Sequence, residues 1–275
     1  MTPAATAEPR RDAGAAQRNR FVHIQNVDKT YAGRGNALKA VDNVSLDLHE
    51  GEFLSVVGPS GCGKSTLMMM VAGLSPVSSG EIKIKGERVT KPYTDVGVVF
   101  QRDALLEWRT VLDNVLLQID VRRLRRGDYE ASAHTLLERV GLTDFENSYP
   151  WELSGGMRQR VSLCRGLIHN PSLLLMDEPF GALDALTREQ MNLDLQTIWL
   201  ETRKTMLFIT HSIWEAIFLS DHVVVMTPRP GRIAAVIRID LPRPRRLAVR
   251  ETAEFGRYAT LIREQFQAYG LLKEH

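Results

Sequence analysis

The sequence predicts an α/β fold in which a parallel sheet carries helices on its faces. Three observations predict it. Short apolar runs alternate with helical patterns along the second half of the chain, an order that builds parallel sheets. The run Glu52–Val57 is apolar almost throughout, as a strand buried on both faces must be, and it leads straight into a glycine-rich loop. The run Leu173–Met176 delivers two carboxylates, Asp177 and Glu178, at its C-terminal end, the edge at which such sheets bind ligands.

Taken in order, Phe21–Val27, Val44–Leu48 and Glu52–Val57 read as strands. Leu67–Gly73 reads as a helix stopped by Gly73 and Pro76. Glu81–Lys85 and Val96–Phe100 are further strands. From about 103 to 168 the pattern turns helical, an insertion into the α/β core. Met157, Val161, Cys164 and Ile168 fall on one helical face there, and Asn170-Pro171 ends that helix. The strands Leu173–Asp177, Met206–Thr210 and Val223–Met226 follow, separated by helices. No internal repeat is visible.

Bulk composition narrows the class. Of the 275 residues, 44% are hydrophobic and 25% charged, values of an ordinary protein with a buried core. Two cysteines exclude a disulfide scaffold and suit a reducing compartment. Cys62 sits in the glycine loop, and Cys164 belongs to the packed helical stripe. No apolar run reaches the roughly 18 residues of a membrane span. Residues 1–20, rich in Ala and Arg, are expected to form a disordered tail rather than a secretory or organelle-targeting signal. The net charge of +2 hides an asymmetry, because residues 229–275 carry ten Arg/Lys against five Asp/Glu. That basic stretch is either a solvated surface or a contact for anionic lipid or nucleic acid.

The motif Gly58-Pro59-Ser60-Gly61-Cys62-Gly63-Lys64-Ser65 is a phosphate-binding loop. Its glycines let the backbone wrap an anion with N–H groups inward, and the following helix adds a favourable dipole. Lys64 is placed to reach the β- and γ-phosphates, and Ser65 to offer a hydroxyl to Mg²⁺. Asp177 is the natural second anchor for Mg²⁺, through water, and Glu178 is placed to polarise an attacking water. Ser154-Gly155-Gly156 opens an amphipathic helix and makes either a second anion site or a plain capped helix start. The first loop already has its own helix, so a second anion site points to the nucleotide of another copy. His211 follows a strand at the ligand edge, either touching a γ-phosphate or satisfied by its neighbours. Ser212 and Glu215 after it fit a capping box. Gln101 closes a strand and is a candidate sensor of Mg²⁺ or water. Tyr31, beside Gly33 and Gly35, either stacks on a purine or packs locally.

Together these residues resemble the ATP-binding subunit of an ABC transporter, over about residues 21–230. The resemblance implies a P-loop NTPase (RecA-like) core with an antiparallel β subdomain and an inserted α-helical subdomain at about 103–168. Residues 231–275 would form a C-terminal extension. In that family 58–65 is Walker A, with Thr66 following it in the nucleotide site. Ser154, Gly155 and Gly156 belong to the Leu-Ser-Gly-Gly signature at 153–156, with Gln159 in the Arg-Gln-Arg after it. Residues 173–177 are Walker B, Glu178 the catalytic glutamate, and Gly181-Ala182-Leu183-Asp184 the D-loop. His211 is the switch histidine, Gln101 the Q-loop glutamine and Tyr31 the adenine-stacking aromatic. Every motif is intact; Gly181 stands where many members have Ser.

A finer similarity joins Glu107-Trp108-Arg109-Thr110-Val111 with Asn114-Val115, Phe180–Asp184, and Pro228-Arg229-Pro230-Gly231-Arg232-Ile233 to the nitrate/sulfonate/taurine import subfamily. It implies ATP and Mg²⁺ as cofactors and a head-to-tail homodimer closing around two ATP molecules. It further implies two integral-membrane permease subunits, a separate solute-binding protein, no nucleic acid, and a peripheral place on the cytoplasmic face of the cell membrane. The segment after Gln101, with Leu105, Leu106 and Trp108, is expected either to line a groove for a permease helix or to pack in the core. The competing classes are an exporter subunit, a soluble ABC ATPase acting on DNA or ribosomes, and a P-loop kinase. Only 51 residues separate Gln101 from Leu153, which leaves little room for the coiled coil of the soluble class, and a kinase does not need Leu-Ser-Gly-Gly.

Overall fold

The computed structural model describes residues 19–32 and 37–270. The expected tail at 1–20 therefore lies outside the described residues except for Asn19 and Arg20, and so do Gly33 and Gly35. Arg20 opens the first strand. That strand, β1 (Arg20–Tyr31), pairs antiparallel with β2 (Leu38–His49). Both are longer than their hydrophobic patterns suggest. Each carries an irregularity at an asparagine with left-handed backbone, Asn26 (φ 46°) and Asn43 (φ 49°), and the extra residue breaks the period-two alternation. Side chains hold both bulges: Ser45 Oγ accepts from the Asn26 N–H, and Asp28 Oδ1 from the Asn43 N–H at 2.8 Å. Tyr31 consequently ends a strand. Beyond β1 lie β4 (Ser79–Ile84) and β5 (Glu87–Arg88), joined by the turn Lys85-Gly86. Both turn residues have positive φ, the conformation that matches the twist of a tight hairpin.

The second sheet contains β3 (Phe53–Val57), β6 (Val96–Val99), β7 (Leu173–Asp177), β8 (Thr205–Ile209), β9 (His222–Met226) and β10 (Ile233–Arg238), in the order β10-β9-β3-β8-β7-β6. All pairings are parallel except that of β10 with β9. Every residue of β3 and β8 is buried, because one face packs on helices and the other on the first sheet and the helix after β3. β10 lies beyond the boundary expected at residue 230, yet it is hydrogen-bonded into this sheet. The Gly231 N–H donates to the Ala40 carbonyl and the Asp42 N–H to the Gly231 carbonyl, which ties the two sheets together.

Helix α1 (Lys64–Val71) begins three residues earlier than its apolar pattern, inside the loop motif, and Gly73 (φ 70°) follows its end. The region 103–168 is not one continuous helix. It holds three short helices, α2 (Val111–Val115), α3 (Leu117–Val121) and α4 (Glu130–Arg139), and then α5 (Gly155–Leu167). The last turn of α5 lies on the core sheet: a Cβ on Gly97 would fall 2.2 Å from the Gly166 carbonyl oxygen. Cys164 is fully buried there, and burial pushes its thiol up to about 12, so it packs and does no thiolate chemistry.

Helix α6 (Ala185–Thr202) follows β7, and α7 (Ile213–Leu219) follows β8. The final helix, α8 (Ala253–Ala268), sets Phe255, Tyr258 and Ile262 against Ala216 and Ile217 of α7 and against Ile239 and Leu241. Among them Arg245 is buried and donates to the carbonyls of Ile217, Phe218, Ser220, Ile239 and Leu241. Among the described residues, no helix is long and apolar enough to cross a membrane.

Candidate nucleotide-binding site

Four parallel strands end on one edge of the core sheet, and each delivers a residue singled out in the sequence. β3 runs into the phosphate loop, β6 leads to Gln101, β7 ends at Asp177 and β8 leads to His211. Tyr31, Ser60, Lys64, Ser65, Asp177 and Glu178 border one open cavity of about 290 Å³. Gly61, Gly63, Thr66 and Gln101 line it too. Tyr31 sets its hydroxyl 3.4 Å from Thr66 Oγ1 and keeps an exposed ring face.

The glycines of the loop are sterically required. Gly61 and Gly63 have positive φ (74° and 105°), and a Cβ on Gly63 would fall 2.8 Å from the Ala40 carbonyl oxygen. Gly58 leaves room for Cys62 Sγ and the Met226 carbonyl, each 3.0 Å from where its Cβ would stand. Burial pushes the Cys62 thiol up. Lys64 is 5% exposed and donates to the carbonyls of Gly58 (2.9 Å) and Pro59 (3.1 Å). Its ammonium lies 3.8 Å from Glu178 Oε1. Those weak carbonyl contacts hold a cation over the loop, ready for exchange to a stronger anionic partner.

Glu178 has a left-handed backbone (φ 45°), and its N–H donates to the Ile209 carbonyl at 2.8 Å. This strained conformation for a residue with a side chain aims its carboxylate between Lys64 and His211, whose Nδ1 lies 3.3 Å from Oε2. Asp177 is half-buried. Burial pushes its carboxyl pKa up, and a hydrogen bond from Ser65 acts in the opposite direction. The Ser65 hydroxyl, Asp177 carboxylate and Gln101 amide are oxygen donors of the hard type that Mg²⁺ takes. All three line the same cavity, a grouping that fits a shared cation position. Gly181 stands close to both Gln101 and His211; a Cβ there would be 3.6 Å from Gln101 Nε2 and 3.7 Å from His211 Cε1. Serine would fit this position in ordinary contact.

Ser154, Gly155, Gly156 and Asp184 do not line this cavity. Ser154 caps α5, its hydroxyl accepting from the Met157 N–H, and Asp184 caps α6 by accepting from the Thr187 N–H at 3.0 Å. The two caps are neighbours, since a Cβ on Gly156 would fall 2.4 Å from Thr187 Cγ2. The chain thus presents two separate clusters, a glycine-rich loop at the sheet edge and a capped helix start.

Several contacts were not legible in the motifs. Gln159 of α5 donates to the Phe100 carbonyl at 3.2 Å, Arg158 pairs with Asp103 at 2.9 Å, and Arg165 donates to the Asp103 and Ala104 carbonyls. These bonds join the helix behind Ser154 to the segment after Gln101. Arg188 donates to the carbonyls of Phe180, Gly181 and Leu183 and so shapes the stretch after Glu178. Arg229 also lines the cavity.

One local expectation is corrected and one alternative is resolved. Ser212 does accept from the Glu215 N–H, but the Glu215 carboxylate does not return the bond. It is buried, accepts from the Thr210 hydroxyl, and faces Arg188 at 3.8 Å. Burial, the larger influence, pushes its carboxyl pKa up. Leu105 does not line an exposed groove: it is 8% exposed and belongs to the core, whereas Trp108 is 73% exposed. The turn between them is set by the fully buried Asn114, whose amide donates to the carbonyls of Leu106, Arg109 and Thr110 and accepts from the Leu106 N–H.

Known proteins resemble this chain in sequence and in fold. The ABC transporter family model matches residues 41–181. The chain is 52% identical over 229 residues to the taurine import ATP-binding protein TauB of Rhizobium johnstonii, covering 83% of this chain and 87% of that protein. It is 42% identical over 252 residues to the aliphatic sulfonates import ATP-binding protein SsuB of Bacillus thuringiensis subsp. konkukian, covering 92% and 98%. The dimeric structure of the bacterial ABC transporter cassette MJ0796 superposes with a TM-score of 0.72 at 31% identity, over 81% of this chain and all of that one.

Proposed function

The chain belongs to the ABC transporter family as an ATP-binding subunit, and from that premise we propose how it works and what it serves. Its enzymatic activity is ATP hydrolysis coupled to import. The observation that carries the proposal is the separation of Ser154–Gly156 from the cavity that holds Lys64 and Glu178. An anion-binding helix start with no phosphate loop of its own to serve is completed by a second copy. Two chains close head-to-tail, each nucleotide lying between Lys64 of one and Ser154 of the other.

Hydrolysis at such a site is mainly positioning and charge stabilisation. Lys64 leaves its carbonyl contacts to meet phosphate oxygens. Glu178, held by its strained backbone, orients and polarises the attacking water. His211 fixes the Glu178 carboxylate and meets charge on the terminal phosphate. Ser65 and Asp177, with Gln101 beside them, would hold Mg²⁺, which supplies positive charge against the phosphates. Tyr31 presents its ring to the adenine. Asp184 and Gly156, packed together through Thr187, bring the second copy's contribution as one unit. Closure drives a membrane partner only through differential affinity for two states, and a γ-phosphate touched by both copies supplies that difference.

The partners we propose are a second copy, two permease subunits and a separate solute-binding protein, with the ATPase peripheral on the cytoplasmic face of the membrane. Exposed Trp108, anchored next to Asn114, forms the permease contact. The transported solute belongs to the class of nitrate, sulfonates, taurine and similar small compounds, which the import relatives support. The test is an affinity pull-down of tagged Glu178→Gln protein from detergent-solubilised membranes with ATP and Mg²⁺, read by mass spectrometry. A multi-span permease is the expected partner. Ribosomal or DNA-associated proteins without a permease would contradict the transport role.

A further inference from the structure

The turn Pro228–Arg232, between β9 and β10, packs directly on the phosphate loop. A Cβ on Gly231 would fall 1.9 Å from the Cys62 carbonyl oxygen. The turn is fixed from behind: Gly231 exchanges backbone hydrogen bonds with Ala40 and Asp42 in β2, Arg232 Nε donates to Asp42 Oδ2 at 2.6 Å, and the Arg232 N–H donates to the Thr227 hydroxyl. This anchoring leaves Arg229 projecting over the loop, with its Nε donating to the Gly61 carbonyl at 3.0 Å. Glycine at 61 is what permits the approach, since a Cβ there would stand 2.8 Å from Arg229 Nη2.

Arg229 is exposed and borders the same cavity as Lys64, Ser65 and Glu178. A guanidinium carries five N–H donors. Among the described residues, its bond to Gly61 is the one hydrogen bond Arg229 makes, and it has no carboxylate partner. An unneutralised, weakly hydrated cation of fork geometry at the mouth of a phosphate pocket fits phosphate oxygens better than water.

We propose that Arg229 contacts the bound nucleotide, its free Nη groups donating to phosphate oxygens in the same chain and adding to the charge of Lys64. Its place on the turn explains why Pro228–Ile233 is packed onto the loop rather than left as a surface connection. The inference rests on the nucleotide site and not on the identity of the solute or permease.

The experiment compares wild type, Arg229→Ala, Arg229→Lys and Lys64→Ala by equilibrium binding of fluorescent ATP and by steady-state ATP hydrolysis. Arg229→Ala is expected to raise Kd and KM for ATP about tenfold, the share of one charge-assisted hydrogen-bond site. Its kcat at saturating ATP should stay within about twofold. Arg229→Lys, which keeps the charge without the fork, should fall between the two. Thermal unfolding without nucleotide should not distinguish Arg229→Ala from wild type, because the side chain is exposed. An unchanged Kd in Arg229→Ala overturns the inference, and so does a loss confined to kcat, which would reduce Arg229 to a prop for Gly61. A Lys64→Ala protein that binds ATP as the wild type does would instead overturn the nucleotide site itself.

Discussion

Nδ1 of His211 lies 3.3 Å from Oε2 of Glu178. The two residues come from the ends of neighbouring strands, β8 and β7, and the Glu178 N–H is bonded to the Ile209 carbonyl at the end of β8. The imidazole therefore fixes a carboxylate that the backbone already holds in a strained conformation. Removing the ring as His211→Ala frees the carboxylate and deletes the group proposed to meet the terminal phosphate. ATP turnover at saturation should fall at least about a hundredfold, the scale of a positioned proton-transfer group, with ATP affinity little changed. Turnover within about threefold of wild type would show that Glu178 needs no such partner.

Trp108 is expected to serve docking and not chemistry. It is exposed, whereas Leu105 and Asn114 are buried. Trp108→Ala should weaken retention of the permease in a pull-down and leave the ATPase rate of the isolated protein intact. Equal permease retention would remove Trp108 from the contact.

Arg245 joins the carbonyls of Ile239 and Leu241 to three at the end of α7, those of Ile217, Phe218 and Ser220, and has no carboxylate partner in its hydrogen bonds. Arg245→Met keeps an unbranched apolar stem and removes every side-chain donor. Buried carbonyls left unsatisfied cost on the order of 1–3 kcal/mol each before relaxation, so an overall loss of about 3 kcal/mol is expected in denaturant unfolding. A midpoint shift equivalent to less than about 0.5 kcal/mol, the size of an ordinary surface change, would mean that the α7–α8 packing holds this region alone.

Glu52 sets a pH dependence. It is 4% exposed and accepts from the His49 N–H at 2.7 Å, with His222 Nδ1 at 2.5 Å. Burial is the largest influence and opposes the charge, but His222 and His49 together outweigh it and hold the carboxyl below its usual 4.5. Between the folded value and 4.5 the unfolded chain binds more protons, so stability rises with pH across that window. The advantage of wild type over Glu52→Gln in thermal unfolding should be full above pH 4.5 and shrink as the pH falls through the folded value. An advantage that grows toward acid would contradict this sign.

The placement of the candidate site was legible where its residues are local in sequence. The phosphate loop, the Asp177-Glu178 pair and the capped glycines at 154–156 each occupy one short stretch, so composition and spacing suffice to place them. Facing was less legible. Leu105 and Trp108 are three residues apart in an irregular turn, and only the buried Asn114 amide decides which of them turns inward. The lengths of β1 and β2 were hidden by bulges at Asn26 and Asn43, where an inserted residue breaks the alternation. Contacts between distant stretches were the least legible. Arg229 reaches Gly61 across 168 residues, and the carbonyls that hold Arg245 carry no side-chain signature. Glu215 matched a capping pattern, but desolvation and the Thr210 hydroxyl drew its carboxylate inward.

Two copies of the chain are proposed to share each nucleotide, because Ser154–Gly156 do not border the cavity of their own chain. The direct measurement is light scattering of Glu178→Gln protein at high concentration, with and without ATP and Mg²⁺. Slowed hydrolysis should trap the closed state, giving a dimer with ATP and a monomer without it. A monomer under both conditions would contradict the shared site.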